Sequence, residues 1–597
     1  MQNTPINNAH TAFIDEISQT ISSKQIYTDF LSRYAYGTDA SYYRYVPQVV
    51  VRAHNELEII ALIHQAKKHK VSLTFRASGT SLSGQASTES VLVRVGDEFL
   101  TSEILDNASK IRLGSMVIGA HANKQLLPYG KKIGPDPASI NTARIGGILA
   151  NNSSGMCCGT KENSYHTMHS LRVILADGSI LDTSDPTSIE HFKAQHKDFL
   201  NQLSDLAQRI KEQPELAAKV RHKYRLKNTT GYGINALVDF EDPIDILSHL
   251  LIGSEGTLGF ISEVIYKTVE NYSNKASAFV FFDSLENCCN AVSALRLNAP
   301  VNAVELLDAF SIRCVGNEIK NLPEFFYTEF SDQAACLLIE TTAATPELLD
   351  AQIVAIDEIL AAYQYSAYTQ FQKDPKITDQ YWYVRKGLLP IVAGARPKGA
   401  NVITEDVVFP IEHLAAGVMR LLELFSEYGY HEGMVMGHAL EGNLHFVLTP
   451  LMITEEDRQR FDGFMQAMTQ MVAVEFGGSL KGEHGTGRSV APFVRTEWGD
   501  ELYAMMQEIK RLFDPENILN PGVIINDDPL AHVMNVKQLP VTDSLINDCI
   551  ECGFCEPACP SDGLSLTPRQ RISVHRNLQS LKADNADASF VKALEAS

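Results

Sequence analysis

Four stretches of small residues constrain this chain most: ASGTSLSG (77–84), GPDPAS (134–139), GGILANNSSG (146–155) and GSEGTLGF (253–260). Such loops leave backbone N–H groups unobstructed, so that they can crowd around an anionic ligand such as a nucleotide diphosphate. One Ser/Gly loop is more often a plain turn. Four in order along one chain are not explained that way. The commoner nucleotide signatures are missing, since no GxGxxG follows the first strand and no GxxxxGK[ST] occurs.

The segments between the loops alternate in character. VVVRA (49–53) reads as a strand, and Asn55 caps the next helix with Glu58 as its capping-box partner. Ile59, Ile60, Ile63 and Ala66 give that helix an apolar face. VSLTFR (71–76) is the next strand and delivers Arg76 to the first loop. A chain of 597 residues exceeds one hydrophobic core. We expect a helical arm over 1–46, an α+β domain over 47–270, a second over 271–525 and a C-terminal segment over 526–597, of which 526–544 reads as a linker.

The formal net charge of −21 argues against a nucleic-acid partner, because a polyanion would be repelled over most of the surface. No run reaches the ~18 consecutive apolar residues of a membrane span. Met1 to Ser23 lack a basic stretch followed by an apolar one, so no signal peptide is visible. The expectation is a cytoplasmic protein, with room for peripheral contact at the cytoplasmic face of the inner membrane and for a homodimer.

RASGTSLSGQ (76–85), GPDPASINTARIGGILANNSSGMCCGT (134–160), KNTTGYGINAL (227–237) and LIGSEGTLGFISEV (251–264) together resemble the PCMH-type FAD-binding domain of the vanillyl-alcohol oxidase fold. Over roughly residues 45–560 the chain is similar to FAD-linked D-lactate dehydrogenases and the glycolate oxidase flavoprotein subunit. The resemblance implies an α+β fold: a PCMH-type FAD-binding domain of two α+β subdomains, an α+β substrate cap domain and a C-terminal ferredoxin-like segment. It implies that Arg76, Ser78, Gly79, Thr80 and Ser81 hold the pyrophosphate, with Gly84 in the same loop. Pro135, Ser139, Gly146, Gly147, Asn151, Ser154 and Gly155 would line the cofactor. Glu255, Gly256 and Gly259 would close on its adenine end, and Asn520 in FDPENILNPG (513–522) would return to the flavin ring. Relatives with covalent flavin carry a histidine in the first loop. Ser78-Gly79-Thr80 stand there here, so FAD is expected to be non-covalent.

GMVMGHALEGNLHFVL (433–448) reads as a β-hairpin turning at Glu441-Gly442-Asn443, which brings His438 and His445 side by side. Two histidines and an acid make the ligand set of an open Zn²⁺ site, and GGSLKGEHGTGR (477–488) supplies Glu483 next to His484. On residue types alone, surface histidines and a flexible glycine turn explain these stretches equally well. In the D-2-hydroxy acid dehydrogenases that the chain resembles, the matching residues are ligands of Zn²⁺ or another divalent metal (His438, His445, Glu483) and the catalytic base (His484). The family's WxxR pattern selects Arg385, in Tyr381-Trp382-Tyr383-Val384-Arg385, to grip the substrate carboxylate at two points. Arg396 and Lys398 are second candidates. Relatives acting on D-2-hydroxyglutarate carry a Thr four residues after that arginine and a Lys further on. Leu389 and Thr404 stand there here, which favours a small, apolar-tailed acid such as D-lactate.

Six of the ten cysteines (Cys157, Cys158, Cys288, Cys289, Cys314, Cys336) are scattered and read as inert thiols. The other four, Cys549, Cys552, Cys555 and Cys559 with Pro560, match C-x₂-C-x₂-C-x₃-C-P, the bacterial ferredoxin run. They resemble the module of some D-lactate dehydrogenases that passes electrons to quinone or cytochrome. In two-cluster modules the fourth cysteine of a run serves the other cube, and no second run follows. We therefore expect this chain to be a fragment, its [4Fe–4S] centre to be completed only at full length, and residues after about 540 to be poorly ordered. The activity expected is oxidation of D-lactate to pyruvate, with D-2-hydroxyglutarate or glycolate as alternative substrates. Outside that class stand a redox-neutral flavin synthase, against which the ferredoxin run speaks, and a non-catalytic electron-transfer subunit. Against the latter speaks the set of His438, His445, Glu483 and His484.

Overall fold

The computed structural model describes residues 5–561, 564–583 and 591, and among these the strands gather into three sheets. In the first, Val49–Ala53, Val91–Val95 and Leu73–Arg76 run parallel, with Ile26–Tyr27 antiparallel at the edge. Its valines pack under the helices Asn8–Ile17 and Glu56–His69. The second of these starts where the sequence places it, since the Asn55 side chain accepts the Glu58 N–H at 3.0 Å. The return bond is displaced by one residue: the Glu58 carboxylate takes the His54 N–H at 2.7 Å, not that of Asn55.

The second sheet has the order Ser102–Leu105, Lys110–Gly114, Phe260–Glu270, Met168–Ile174, Ile180–Asp182, with Lys131–Ile133 also on Phe260–Glu270. The third is antiparallel throughout: Ala367–Tyr368, Asn274–Phe282, Ala335–Ala343, Ala303–Asp308, Met434–His438, Asn443–Leu448, Ile403–Val408. One face packs on Leu285–Asn298, whose Leu285, Cys288, Cys289, Val292 and Leu295 recur at helical spacing. The other face packs on Pro375–Gly394. Register pairs Glu305 with His438, Met436 with His445, and Asp406 with His445. Paired residues share a face and side chains alternate along a strand. Glu305, His438, His445 and Asp406 therefore come to one face, the one toward Pro375–Gly394.

The described parts of the N-terminal arm and of the C-terminal segment are tied in more closely than the sequence suggests. Tyr42, Tyr43 and Tyr45 of the N-terminal arm are buried in the core under the third sheet. The stretch 526–544, read as a linker, runs alongside them: Arg44 N–H donates to Asn535 O and Lys537 N–H to Tyr42 O. The described residues after 540 also carry buried contacts, while 562, 563, 584–590 and 592–597, on which the expectation of poor order also falls, lie outside the described residues. Buried Glu551 meets Arg44 at 2.9 Å, Arg576 at 3.0 Å and Lys537 at 3.5 Å. Arg569 donates to the carbonyls of Ser78 and Gly79 in the first loop. Cys158, Cys288, Cys289 and Cys336 are buried, while Cys157 and Cys314 are partly so. Burial pushes these thiols up, Cys289 to about 12 and Cys314 to about 11.

Candidate functional site

A cleft of roughly 2130 Å³, counted with the open solvent at its mouth, joins the glycine loops to the third sheet. Ser78, Gly79, Thr80 and Ser81 of the first loop stand in its wall. So do Ser139, Gly146, Gly147 and Asn151, and Glu255, Gly256 and Gly259. A Cβ at Gly147 would meet only Ala77 Cβ, at 4.0 Å, so this glycine leaves cleft space that a side chain would fill. Ser115 Oγ, Gln85 Oε1 and Glu255 Oε1 are buried wall atoms without hydrogen-bond partners among the described residues, groups that a polar ligand would satisfy. Burial pushes the Glu255 carboxyl up to about 8, against the pull of the Gly487 and Thr486 N–H groups. A bare glycine wall with donors and acceptors to spare fits a flavin nucleotide.

Six residues expected at the cofactor stand outside this wall. Arg76 is turned away and its guanidinium is committed: Nε to Ala86 O, Nη1 to Tyr36 O and Thr38 O, Nη2 to Ser87 Oγ. It braces the first loop and is not placed to hold a pyrophosphate. Gly84, at φ +81°, makes room for Tyr43, whose ring a Cβ would meet at 2.5 Å. Asn520 donates to Gln85 O and Glu255 O at 2.9 Å each, clamping two wall segments instead of reaching a ring itself. Pro135 is not in the wall, whereas Pro137 and Ser139 of the same loop are. Ser154 and Gly155 serve a different centre: Ser154 Oγ donates to Glu483 and Gly155 O accepts from Lys227.

That centre lies in the same wall, with Arg385, His438, His445, Glu483 and His484. The hairpin forms, but its turn is earlier than read: Ala439–Glu441 and Gly442 at φ +67° close it, and Asn443 already pairs with His438 in the second strand. His438 Nε2 lies 3.1 Å and His445 Nε2 3.5 Å from Glu483 Oε1. One donor atom from each residue falls within 4.8 Å of the others, a set that fits a divalent metal. Behind each ring is a carboxylate. Glu305 Oε1 takes the His438 Nδ1–H at 2.8 Å, and Asp406 Oδ1 lies 3.4 Å from His445 Nδ1. The hydrogen bond to Glu305 fixes which nitrogen of His438 faces the centre. Asp406, His445 and His484 also come together. Asp406 Oδ2, however, already accepts the N–H groups of Glu483 at 2.6 Å and His484 at 2.9 Å, and its Oδ1 takes the Asn443 amide. Asp406 is thus a brace for the 477–488 loop.

Burial would raise the Glu305 carboxyl, but His438 and Arg385 hold it at about 2. Burial likewise opposes Glu483, and Lys227 and then His438 bring it well below the carboxylate range. His484 is lowered to about 4 by burial, against the pull of Asp406, and its Nδ1 has no hydrogen-bond partner among the described residues. Its ring stacks on His445 at 4.7 Å. Arg385 Nε donates to Glu305 Oε2 at 2.5 Å, while Nη1 and Nη2 make no hydrogen bond among the described residues. Arg396 is occupied by Ala393 O, Ala400 O and Asn547 O, and Lys398 is exposed outside the wall. Leu389 and Thr404 do line it.

Of the ferredoxin-run cysteines, Cys552 stands in the cleft wall between Ile550 and Phe554, Cys549 and Cys559 are partly buried, and Cys555 is exposed. None is in a disulfide. Sequence reasoning missed Glu305, Asp406 and Lys227. The signal was present for the first two: an acid inside an apolar strand, in VELLD (304–308) and TEDVV (404–408), at positions where alternation buries it.

Residues 47–184 match the FAD binding domain, and residues 272–524 the C-terminal domain of FAD linked oxidases. D-2-hydroxyglutarate dehydrogenase of Escherichia coli (strain K12) is 26% identical, over 96% of this chain and 60% of its own length. D-lactate dehydrogenase of Archaeoglobus fulgidus is 26% identical, over 80% of this chain and 91% of its own. The crystal structure of p-cresol methylhydroxylase superposes with a TM-score of 0.63 at 12% identity, covering 87% of this chain and 98% of that one. The fold is the α+β, PCMH-type one expected. The chain spans 51% to 60% of the length of three D-2-hydroxyglutarate dehydrogenases that it matches.

Proposed function

We propose, on the premise that the chain carries the two domains of the FAD-linked oxidases, that it oxidises a small D-2-hydroxy acid, D-lactate to pyruvate. The observation that carries this reading is the meeting of His438, His445 and Glu483 with His484 and Arg385 in the wall of one glycine-lined cleft. Bound FAD would supply the hydride acceptor, and a divalent ion held by His438, His445 and Glu483 would acidify the substrate hydroxyl. Arg385 offers its two Nη groups to the carboxylate, its plane fixed by the bond from Nε to Glu305. His484, uncharged at neutral pH, takes the hydroxyl proton onto its ring. Leu389, Val402 and Met436 give the wall an apolar side suited to a methyl tail.

Cys549, Cys552 and Cys555 would contribute to one iron–sulfur centre and Cys559 to a second, and the position of Cys552 in the cleft wall supports electron exit there toward a quinone or cytochrome. Iron and sulfide assay with EPR of the reduced protein tests this. Among the described residues no helix is long and apolar enough to cross a membrane, in keeping with at most peripheral contact.

A second substrate is favoured by Lys386, which lines the cleft and forms no ion pair among the described residues. It offers a charge to a second carboxylate, as D-2-hydroxyglutarate would need. The test is anaerobic mixing of the flavin-loaded protein with D-lactate, glycolate and D-2-hydroxyglutarate. Fastest bleaching by D-lactate is expected, and preference for the dicarboxylate selects the second reading. A flavin spectrum unmoved by all three would overturn both.

A further inference from the structure

We propose that Lys227 is a positioning residue: it reserves one oxygen of Glu483, so that this carboxylate presents a single oxygen to the centre formed with His438 and His445. The inference rests on the metal-assisted reading above and deepens it, since nothing in that reading uses Lys227.

The two oxygens of Glu483 have different surroundings. Oε1 is turned to the Nε2 atoms of His438 and His445. Oε2 is held by Lys227 Nζ at 3.2 Å and by Ser154 Oγ at 3.0 Å. The Lys227 side chain is only 1% exposed. Its ammonium also donates to Gly155 O at 2.6 Å and to Asn443 Oδ1 at 3.4 Å. Its three donors therefore join the end of the third glycine loop, the second arm of the hairpin and the 477–488 loop.

A carboxylate with both oxygens available can bind a cation through both. With one oxygen occupied it is a one-point ligand. A centre that must admit a substrate through an open position needs the latter. A buried ammonium this near also repels a dication, so its presence weakens metal binding while it shapes the site. A lysine there only to neutralise Glu483 would behave differently, because its loss would harm folding, flavin retention and metal uptake together.

The two roles separate in Lys227→Met, purified as the full chain with FAD, stripped with chelator and titrated with Zn²⁺ by calorimetry. Zn²⁺ should bind at least about threefold tighter than in the wild type, because the repelling charge is gone and Oε2 is released. The KM for D-lactate should rise about tenfold or more, with kcat changed less and the flavin spectrum retained. Lys227→Arg, which keeps the charge, should return Zn²⁺ affinity toward the wild-type value. Should Lys227→Met not fold, Ser154→Ala removes the other partner of Oε2 and should shift Zn²⁺ affinity and KM the same way by less. Weaker Zn²⁺ binding in a flavin-loaded variant, or constants equal to the wild type, overturns the proposal while leaving the metal reading standing. A wild-type chain that takes up no Zn²⁺ overturns both.

Discussion

Arg385 donates its Nε–H to Glu305 at 2.5 Å, and both side chains are buried. The other oxygen of Glu305 takes the His438 Nδ1–H at 2.8 Å, so one carboxylate aligns the substrate clamp and one edge of the metal centre. Glu305→Gln keeps the shape and removes the charge. We expect kcat/KM for D-lactate to fall about 10- to 100-fold. The melting temperature should fall too, since breaking a buried pair from one side costs about 3–5 kcal/mol. Steady-state kinetics and thermal melts check this, and unchanged kinetics would show that Arg385 is held by other means.

His438→Ala and His484→Ala should fail in different ways. The first removes a donor of the metal set and should lose divalent ion and turnover while FAD stays. The second keeps the donors at His438, His445 and Glu483. It should retain ion and FAD yet lose about 10²-fold or more in the flavin-reduction step, the usual effect of removing a positioned base. Metal analysis beside stopped-flow reduction separates them.

FAD should leave the protein with acid, because the 76–84 loop offers no histidine for a covalent bond. Gly147→Val is the structural counterpart. Its side chain would enter cleft space bounded only by Ala77 within 4 Å. The variant should purify folded but pale, and a normal flavin content would remove Gly147 from the binding surface.

His249 gives stability a pH dependence. Its ring stacks on Phe240 at 4.0 Å and donates from Nδ1 to Asp245 O at 2.7 Å. Burial lowers its pKa to about 4. The unfolded chain therefore binds more protons than the folded one between that value and about 6.5, and stability falls as pH drops through the window, by up to about 1.4 kcal/mol per pH unit. His249→Gln should flatten this part of the stability profile, read by denaturant melts at several pH values. A slope identical to the wild type would show that other groups carry it.

What the sequence made legible was local. Glycine loops, the hairpin and the Glu483-His484 pair are written in consecutive residues, and the structure brings each to the cleft. Glu305 and Asp406 are legible as acids inside apolar strands, but their partners are not, because these come from other strands, and register, not spacing, sets Glu305 opposite His438. Arg76 was misread for a related reason: its residue type suits a phosphate, but the carbonyls of Tyr36, Thr38 and Ala86 lie nearer. The 526–544 stretch looked like a linker from its composition, which cannot show that Lys537 is buried.

Glu551 sets up the last prediction. It sits between Cys549 and Cys552, fully buried, with Arg44, Lys537 and Arg576 around its carboxylate and the Thr38 hydroxyl at 2.5 Å. Burial alone would raise its pKa, but the three cations hold it well below the carboxylate range. A depressed carboxyl contributes stability that is present above the unfolded value of about 4.3 and lost only as pH falls through the folded one, so at neutral pH the full contribution stands. Glu551→Gln removes it and leaves three buried cations facing a neutral amide, at a cost of about 3–5 kcal/mol. The loss should appear first where the carboxylate ties segments together. Residues 541–561 and 564–583 should become sensitive to trypsin, and with Ile550, Cys552 and Phe554 no longer held in the cleft wall, FAD should wash out more readily. Limited proteolysis followed by mass spectrometry, beside flavin content after gel filtration, reads both effects. A variant as resistant as the wild type would show that Arg569 and its bonds to Ser78 and Gly79 suffice to hold the segment.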